Sequence, residues 1–304
     1  MESHIVQGLA AAQKTPSIGP EDAPNPPRLL ALDTSTHHTF VALGLGADVQ
    51  ADQTGEGGAQ ASAGLLSTIQ ALLKAQHWAL PELDALVFGR GPGAFTGLRT
   101  ATAVVQGLAY GVRTERHPNG LPVLPIDTLL AVAEEARHLH AQATPTNSPV
   151  GSPLWVLAVL DARMGEVYAA LYRFDNLAQS IAHSIAQPTA QPTTQAIAGP
   201  WLATPSQLPM LLQGLQEALP ELQTSAQRLC AGNASELVSP FLSDPADGTP
   251  WPMQEAWPTA HALLRLAPHL LRQGLAVPAA HAQPVYVRDK VAQTTAERSQ
   301  ARPA

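Results

Sequence analysis

The residues best placed to do chemistry lie in one glycine-rich segment, Gly89-Arg90-Gly91-Pro92-Gly93-Ala94-Phe95-Thr96-Gly97-Leu98-Arg99. It falls between a predicted strand at residues 86–88 and a predicted helix that begins at Gly97, with Thr96 as the expected N-cap. Glycine permits positive φ and a close approach of ligand or backbone, and a helix N-terminus attracts anions. The segment is therefore either an anion cradle or a tight strand-to-helix crossover. Because the spacing does not match GxGxxG and no Walker lysine follows, the crossover is favoured.

Two carboxylates follow predicted strands at points where a nucleotide with magnesium could be held. Asp33 opens the turn Asp33-Thr34-Ser35-Thr36, and Asp161 opens the turn at residues 161–165. The first turn lacks the glycine that lets backbone wrap phosphates, and its hydroxyl groups can bond backbone amides instead. Stabilisation of the turns is therefore favoured over a residual nucleotide contact through Asp33, Ser35 and Asp161. Glu166 is interpreted as a surface acid at a strand edge.

The remaining polar residues predict neither a metal site nor a catalytic residue. His37 and His38 are adjacent, while His138 and His140 are two residues apart, a spacing at which helical side chains diverge. Cys230 is the single cysteine, so no internal disulfide can form, and its apolar surroundings predict a core position. No serine or cysteine nucleophile stands in a recognisable order with a histidine and an acid.

These residues are carried by two similar halves, each opening with strand, acidic turn and strand, and each continuing into helices. The pattern predicts an α/β fold of two lobes, like that of actin, hexokinase and the heat-shock ATPases (the ASKHA fold), with a mixed sheet and flanking helices in each lobe. The predicted organisation is a disordered extension at 1–27, an N-terminal lobe at 28–140, a linker at 141–153, a C-terminal lobe at 154–292 with a poorly ordered insertion at 175–200, and a flexible tail at 293–304.

Composition limits the classes of partner. The 304 residues carry a net charge of −7, and lysine occurs only at Lys14, Lys74 and Lys290. Because a nucleic-acid surface needs a basic stripe, tight direct binding of nucleic acid is not expected. No apolar run approaches the roughly 18 residues of a membrane span. The sequence therefore predicts a cytoplasmic protein with no membrane contact.

The predicted helix after the glycine segment carries Ala103, Gly107 and Gly111 at intervals of four residues. This row forms a smooth groove that another helix can approach closely. Glycine inside a helix costs about 1 kcal/mol relative to alanine, which suggests a packing reason for the row. The row either packs inside its own domain or faces a partner.

The glycine segment resembles the GRGPGSFTGLR signature of the TsaB (YeaZ) family. Four further segments resemble family motifs in the same order, and the resemblance spans residues 29–292. These are Leu30-Ala31-Leu32-Asp33-Thr34-Ser35-Thr36, residues 121–133, Val159-Leu160-Asp161-Ala162-Arg163-Met164-Gly165-Glu166-Val167-Tyr168, and Pro284-Val285-Tyr286-Val287-Arg288-Asp289-Lys290-Val291-Ala292.

Members of this family are required to make threonylcarbamoyladenosine in tRNAs that read codons starting with A. The resemblance implies an accessory subunit that binds the catalytic protein TsaD and acts with TsaE, meeting tRNA only through the complex. It implies no intrinsic cofactor, with ATP at the interface of the complex. It places the contact with TsaD on first-lobe helices at 62–76 and 97–112, where the candidate interface residues are Leu65, Ile69, Gly97, Arg99, Ala103, Gly107 and Gly111. Arg99 would add a charge-assisted bond to the partner.

TsaD, which is related in fold, binds its metal through an H-x-x-x-H pair. The equivalent positions here are Thr128 and Val132, and a valine cannot bind a metal. The resemblance therefore implies a subunit without catalysis. Three alternatives stay open: an independent nucleotide-binding ATPase or phosphotransferase of the same fold, a peptidase-like protein, and a homodimeric scaffold when alone.

Overall fold

The computed structural model describes residues 26–58, 61–143, 153–175, 194–224, 227–243 and 248–288. Most of the predicted extension at 1–27, of the linker at 141–153 and of the insertion at 175–200 lies outside these ranges, as does the whole predicted tail at 293–304. Among the helices that fall inside them, none combines the length and apolar character needed to cross a membrane.

The first half contains a five-stranded sheet and three helices. Its strands are β1 (Arg28–Asp33), β2 (His38–Leu45), β3 (Asp48–Glu56), β4 (Ala85–Gly89) and β5 (Val123–Ile126), and its helices are α1 (Ala61–Ala75), α2 (Phe95–Gly111) and α3 (Thr128–Ala143). The sheet order is β3-β2-β1-β4-β5. The pairs β1–β2 and β2–β3 are antiparallel, whereas β1–β4 and β4–β5 are parallel.

The second half repeats this plan. Its strands are β6 (Leu154–Arg163), β7 (Glu166–Phe174), β8 (Thr194–Ala203), β9 (Arg228–Ala231) and β10 (Met253–Gln254), and its helices are α4 (Leu208–Ala218), α5 (Pro220–Thr224), α6 (Ser235–Val238) and α7 (Ala260–Arg272). The order β10-β9-β6-β7-β8 is the first order read from the other edge, with the same parallel and antiparallel pairs. The two-lobed mixed-sheet fold and the internal repeat predicted from the sequence are therefore confirmed.

Alternation along β1 explains why it lies between two helical layers. Leu30 and Leu32 point to one face and pack with α1 and α2. Leu29 and Ala31 point to the opposite face and pack with α7. A strand with both faces covered is apolar at every position, which is the pattern of this strand from Leu29 to Leu32.

The two halves of the chain exchange one helix each, so the packed units do not coincide with the two halves of the sequence. α3 packs through Leu129, Val132 and Ala136 onto the second sheet, although it precedes that sheet in the chain. α7 packs through Leu263 and Ala267 onto the first sheet. A boundary near residue 140 or 154 therefore separates two parts of the sequence, but it does not separate two independently packed units.

The predicted linker and the predicted insertion both contain part of a regular element. α3 continues to Ala143, so it includes the first residues of the predicted linker. β8 begins at Thr194 and includes the last residues of the predicted insertion. β8 is stabilised by antiparallel pairing with β7. The proline-containing sequence before β8 does not indicate a strand.

Buried charges join the exchanged helices. The carboxylate of Glu134 on α3 accepts hydrogen bonds from Arg137 Nε at 2.6 Å and from Arg265 Nε of α7 at 2.8 Å. Glu134 and Arg137 are buried, and the two guanidinium groups hold the pKa of Glu134 below its usual value despite the opposing effect of burial. Removal of one partner from such a network would leave an uncompensated buried charge. The network therefore fixes α3 against α7.

Candidate functional site: an interlobe cleft and an exposed helix face

The glycine segment packs against the turn that follows β1. A Cβ atom on Gly89 would lie 1.7 Å from Asp33 Oδ2, and one on Gly97 would lie 1.8 Å from the carbonyl oxygen of Thr34. Thr34 Oγ1 also donates a hydrogen bond to the carbonyl oxygen of Gly97 at 2.7 Å. These glycines are required because the chain's own backbone and side chains fill the space. The packing therefore supports a tight strand-to-helix crossover and not an anion-binding loop.

Two further glycines of the segment have the same explanation. A Cβ on Gly93 would lie 2.6 Å from Ser35, and the amide of Ala94 donates to the Ser35 carbonyl at 2.7 Å. Gly91 adopts φ +114°, a conformation that favours glycine. The helix α2 begins at Phe95 with Ala94 as its N-cap, and no side chain caps it. The prediction that Thr96 is the N-cap is wrong, because the tight contact with Ser35 lets the helix begin two residues earlier than Gly97.

Asp33 lies beneath this loop and does not face the cleft. It is fully buried, and its Oδ1 accepts hydrogen bonds from the amide and the hydroxyl of Ser35 at 2.8 and 2.6 Å. Burial raises the pKa of Asp33 to about 6, and the hydrogen bonds from Ser35 oppose that shift. The geometry supports turn stabilisation as the role of Asp33. A nucleotide contact through this carboxylate has no support.

A cleft of about 330 Å³ separates the two lobes. The turn after β1 lines one side through Ser35 and Thr36, and the end of β6 lines the other through Asp161 and Arg163. The predicted turn at 161–165 is therefore shorter than expected, because β6 continues to Arg163. The structure thus brings Ser35 and Asp161 to one cavity, as the repeat of strand, turn and strand requires. Asp161 Oδ2 pairs with Arg163 Nη1 at 3.1 Å, so its charge is already compensated.

Tyr168 is a cleft residue that sequence reasoning missed. It is only 7% exposed and lines the cleft, and within the described ranges its hydroxyl makes no hydrogen bond. The cleft also receives the uncapped start of α2 through Ala94 and Phe95. The sequence could have indicated Tyr168, because it lies near the start of β7, the strand that directly follows Asp161 and its turn. The cleft can therefore offer hydroxyl and amide donors to a small polar ligand.

The outer face of α2 is open. Ala103, Gly107 and Gly111 are exposed, and a Cβ atom on either glycine would meet no atom of the described residues within 4 Å. The alternative in which this row packs inside its own domain is therefore wrong. Two large exposed apolar side chains on α2 and α1 were not predicted as interface residues: Tyr110, which is 47% exposed, and Leu66 on α1, which is 48% exposed.

Three of the seven candidate interface residues do not reach this surface. Leu65 and Ile69 are each 1% exposed, because they form the buried face of α1 over the first sheet. Gly97 is buried against Thr34. Their apolar or small character reflects the core of the first lobe, and the exposed face of α1 carries Leu66 and Lys74 instead. A contact of these three residues with a partner is excluded by their burial.

Arg99 is exposed but already engaged within the chain. Its guanidinium carbon lies 3.9 Å from the ring centroid of Phe95, and its Nε donates to the Tyr286 hydroxyl at 3.2 Å. Glu166, at the first position of β7, is partly exposed and pairs with Arg288 at 2.6 Å. Both contacts involve residues near the C-terminus, far away in sequence.

Thr128 and Val132, the positions that the resemblance equates with the TsaD histidines, serve the fold. Thr128 is buried, and its Oγ1 accepts a hydrogen bond from the amide of Gly91 at 3.0 Å. Val132 is buried in the core under the second sheet. No group of three potential metal-ligating side chains was found in the ranges that the structure describes. His37 and His38 both contact Trp257, and the centroid of each imidazole ring lies 4.7 Å from that of the Trp257 ring.

The fold and the glycine segment can be compared with those of known proteins. The family model described as TsaD, tRNA N6-adenosine threonylcarbamoyltransferase, matches residues 58–296, which is more than half of the chain. The tRNA threonylcarbamoyladenosine biosynthesis protein TsaB of Escherichia coli is 30% identical over 276 residues, covering 87% of this chain and 96% of that protein. The chain belongs to the TsaB (YeaZ) family.

Other relatives agree with this assignment. TsaB of Haemophilus influenzae is 38% identical over 141 residues, which cover 46% of this chain and 51% of that protein. The solved structure of YeaZ from Pseudomonas aeruginosa superimposes with a TM-score of 0.63 at 29% identity, covering 86% of this chain and 99% of that one. The family resemblance of the glycine segment is thus accompanied by agreement over nearly the whole fold.

Proposed function

We propose that this chain is an accessory subunit in the formation of threonylcarbamoyladenosine in tRNAs that read codons starting with A. In this role it binds TsaD and supports it together with TsaE, in the cytoplasm, and meets tRNA only through the complex. The names of its relatives support the pathway. The observation that carries the accessory role is the open glycine row on α2, which nothing in the described part of this chain fills.

The proposal assigns no catalytic step to this chain. At the two positions where TsaD carries its metal-binding histidines, Thr128 holds the glycine segment through Gly91 and Val132 fills the core. Neither side chain is free to bind a metal, and a valine offers no ligand atom. ATP is accordingly assigned to the complex with TsaD, since Asp33 is fully buried with its Oδ1 bonded to Ser35, and Asp161 pairs with Arg163.

The proposed contact surface is the outer face of α2 with its neighbour α1. Ala103, Gly107 and Gly111 leave a groove along α2 that a helix of TsaD can enter at close range. Tyr110 and Leu66 supply the large apolar side chains that dominate binding energy at interfaces.

Reconstitution tests the accessory role directly. TsaD, TsaE, ATP, threonine-derived adenylate and unmodified tRNA are incubated with and without this chain, and threonylcarbamoyladenosine is measured in the digested tRNA. The proposal expects modification only when the chain is present. It also expects the chain without TsaD to modify no tRNA. Full modification without the chain, or modification by the chain alone, would refute the proposal.

A second candidate function, nucleotide binding by the isolated chain, is favoured by one observation. Tyr168 lines the cleft together with the uncapped start of α2, and within the described ranges its hydroxyl makes no hydrogen bond. Titration of the chain with magnesium-ATP tests this candidate, and Tyr168→Phe is the matched variant. Micromolar binding that weakens about tenfold in the variant would support it, since one hydrogen bond is worth that much. Absence of binding would leave only the accessory role.

A further inference from the structure

Residues 285–288, here called the strap, run along the cleft and contact both lobes. All four of these residues line the cleft, next to the turns after β1 and β6. We propose that the strap is a clasp that holds the two lobes closed over the cleft. The inference concerns the conformation of this chain alone and does not depend on the proposed partnership with TsaD.

The first lobe holds the strap by its backbone. The amide of Val285 donates a hydrogen bond to the carbonyl oxygen of Arg90 at 2.7 Å. A Cβ atom on Gly91 would lie 2.6 Å from the Val285 carbonyl oxygen. The glycine segment therefore has the strap packed directly against it, at a position where no other residue type fits.

The first lobe also holds the strap by the side chain of Tyr286. The Tyr286 ring lies 5.0 Å from the ring of Phe95, and its hydroxyl accepts a hydrogen bond from Arg99 Nε at 3.2 Å. The Arg99 guanidinium packs on the other aromatic partner, Phe95. Cation–π and aromatic contacts of this kind stabilise a surface cluster without burying it fully. Tyr286 is thus fixed to the first turn of α2.

The second lobe holds the strap through Arg288. Its guanidinium pairs with Glu166 Oε2 at 2.6 Å and donates to the carbonyl oxygen of Ala162 at 3.0 Å. The Arg288 side chain is largely buried, and Glu166 is half-buried. A charge-assisted pair shielded from water in this way is stronger than an exposed ion pair. Arg288 is thus fixed to the turn between β6 and β7.

The two anchors are separated by a single residue, so the strap is too short to move at one end while staying bound at the other. Elsewhere the lobes are joined by α3 and α7, through the buried Glu134 and the partly buried Arg265. No residue of α3 or α7 lines the cleft. Release of the strap therefore opens the cleft while the α3–α7 contact persists, which is a hinge motion.

The experiment measures the separation of the lobes with spin labels on two exposed helix positions. Ser67→Cys places one label on α1, and Gln213→Cys places the other on α4. The single native thiol, Cys230, is buried. Pulsed electron resonance then gives the distance distribution. The clasp predicts a narrow distribution for the otherwise unchanged chain and a longer, broader one after Tyr286→Ala or Arg288→Ala.

The double variant distinguishes a clasp from two local contacts. Because loss of either anchor already disconnects the lobes at the cleft, Tyr286→Ala and Arg288→Ala together should give the same distribution as each alone. A variant truncated after Gln283 should give the same distance distribution, because it lacks the strap. It keeps Ala279 and Ala282, which belong to the core of the first lobe. Glu82→Gln is the control, because it breaks an ion pair with Arg28 inside the first lobe. The control distribution should match that of the unchanged chain.

Hydrogen exchange at the Val285 amide provides a second measurement in the same variants. Arg288→Ala should speed exchange at this amide by about tenfold or more, although the substituted side chain touches only the second lobe. Tyr286→Phe and Arg288→Lys give milder variants should an alanine substitution prevent folding. Fast exchange at Val285 with an unchanged lobe distance would overturn the clasp, and so would additive effects in the double variant.

Discussion

The glycines of residues 89–111 fall into two groups with opposite surroundings. Gly89 and Gly97 meet the chain's own atoms at less than 2 Å from a Cβ position, whereas Gly107 and Gly111 meet nothing within 4 Å. The first group is explained by the fold, because any other residue would collide with the turn after β1. The second group has no such explanation within the described chain, although glycine weakens a helix. The difference indicates that the second group is adapted to something outside this chain.

The largest expected effect is that of Gly97→Ala. The added Cβ would lie 1.8 Å from a backbone oxygen that cannot rotate away, so α2 must shift from the first sheet. We expect the free energy of unfolding to fall by about 3 kcal/mol or more, as measured by urea denaturation. A loss within about 0.5 kcal/mol would show that the crowded group is not required by the fold.

A substitution at Asp33 tests the crowded group through its buried charge. The folded-state pKa of Asp33 is raised to about 6 from an ordinary value of 3.8. The folded state therefore binds more protons than the unfolded state between these values, and its stability falls as the pH rises from about 4 to 6. Asp33→Asn abolishes this part of the pH dependence.

The size of this effect follows from the same shift. At pH 8 the Asp33→Asn variant should exceed the original chain in stability by up to about 3 kcal/mol, and at pH 4 the gain should be nearly absent. Chemical denaturation at several pH values measures the difference. An equal difference at both pH values would contradict the burial of an ionised Asp33.

Gly107→Ala should have a smaller effect of the opposite sign to Gly97→Ala. The Cβ meets open space, and alanine is the better helix former, so the isolated chain should gain about 1 kcal/mol. The same denaturation assay measures it. A destabilised variant would mean that the open group also serves the fold of this chain.

Much of the fold could be predicted because it depends on local patterns. The strand, acidic turn and strand appear twice in the sequence, and the two sheets repeat one strand order. The exchange of α3 and α7 between the sheets could not be predicted in this way, since an apolar helix face does not show which sheet it covers. β8 was missed because its stability comes from pairing with β7 and not from its composition.

The site was predictable only in part, for a related reason. Residue type identifies Gly97 and Gly107 equally well, but it does not show whether the space beside each glycine is filled. Leu65 and Leu66 are likewise identical in type, yet one lies in the core and the other on the surface. The contact of Arg99 with Tyr286 spans 187 residues of sequence, and no local pattern predicts it.

Calorimetric titration of the chain with purified TsaD, with and without ATP, tests the central claim most directly. The comparison uses the original chain, Gly107→Leu, and Gly214→Leu as the matched control, because Gly214 is also an exposed helical glycine with open space beside it, but in the second lobe. If the open face of α2 binds TsaD, Gly107→Leu should weaken binding by about 100-fold or more, and Gly214→Leu should bind like the original chain. Equal affinity of the original chain and Gly107→Leu would contradict the claim that this face is the partner surface.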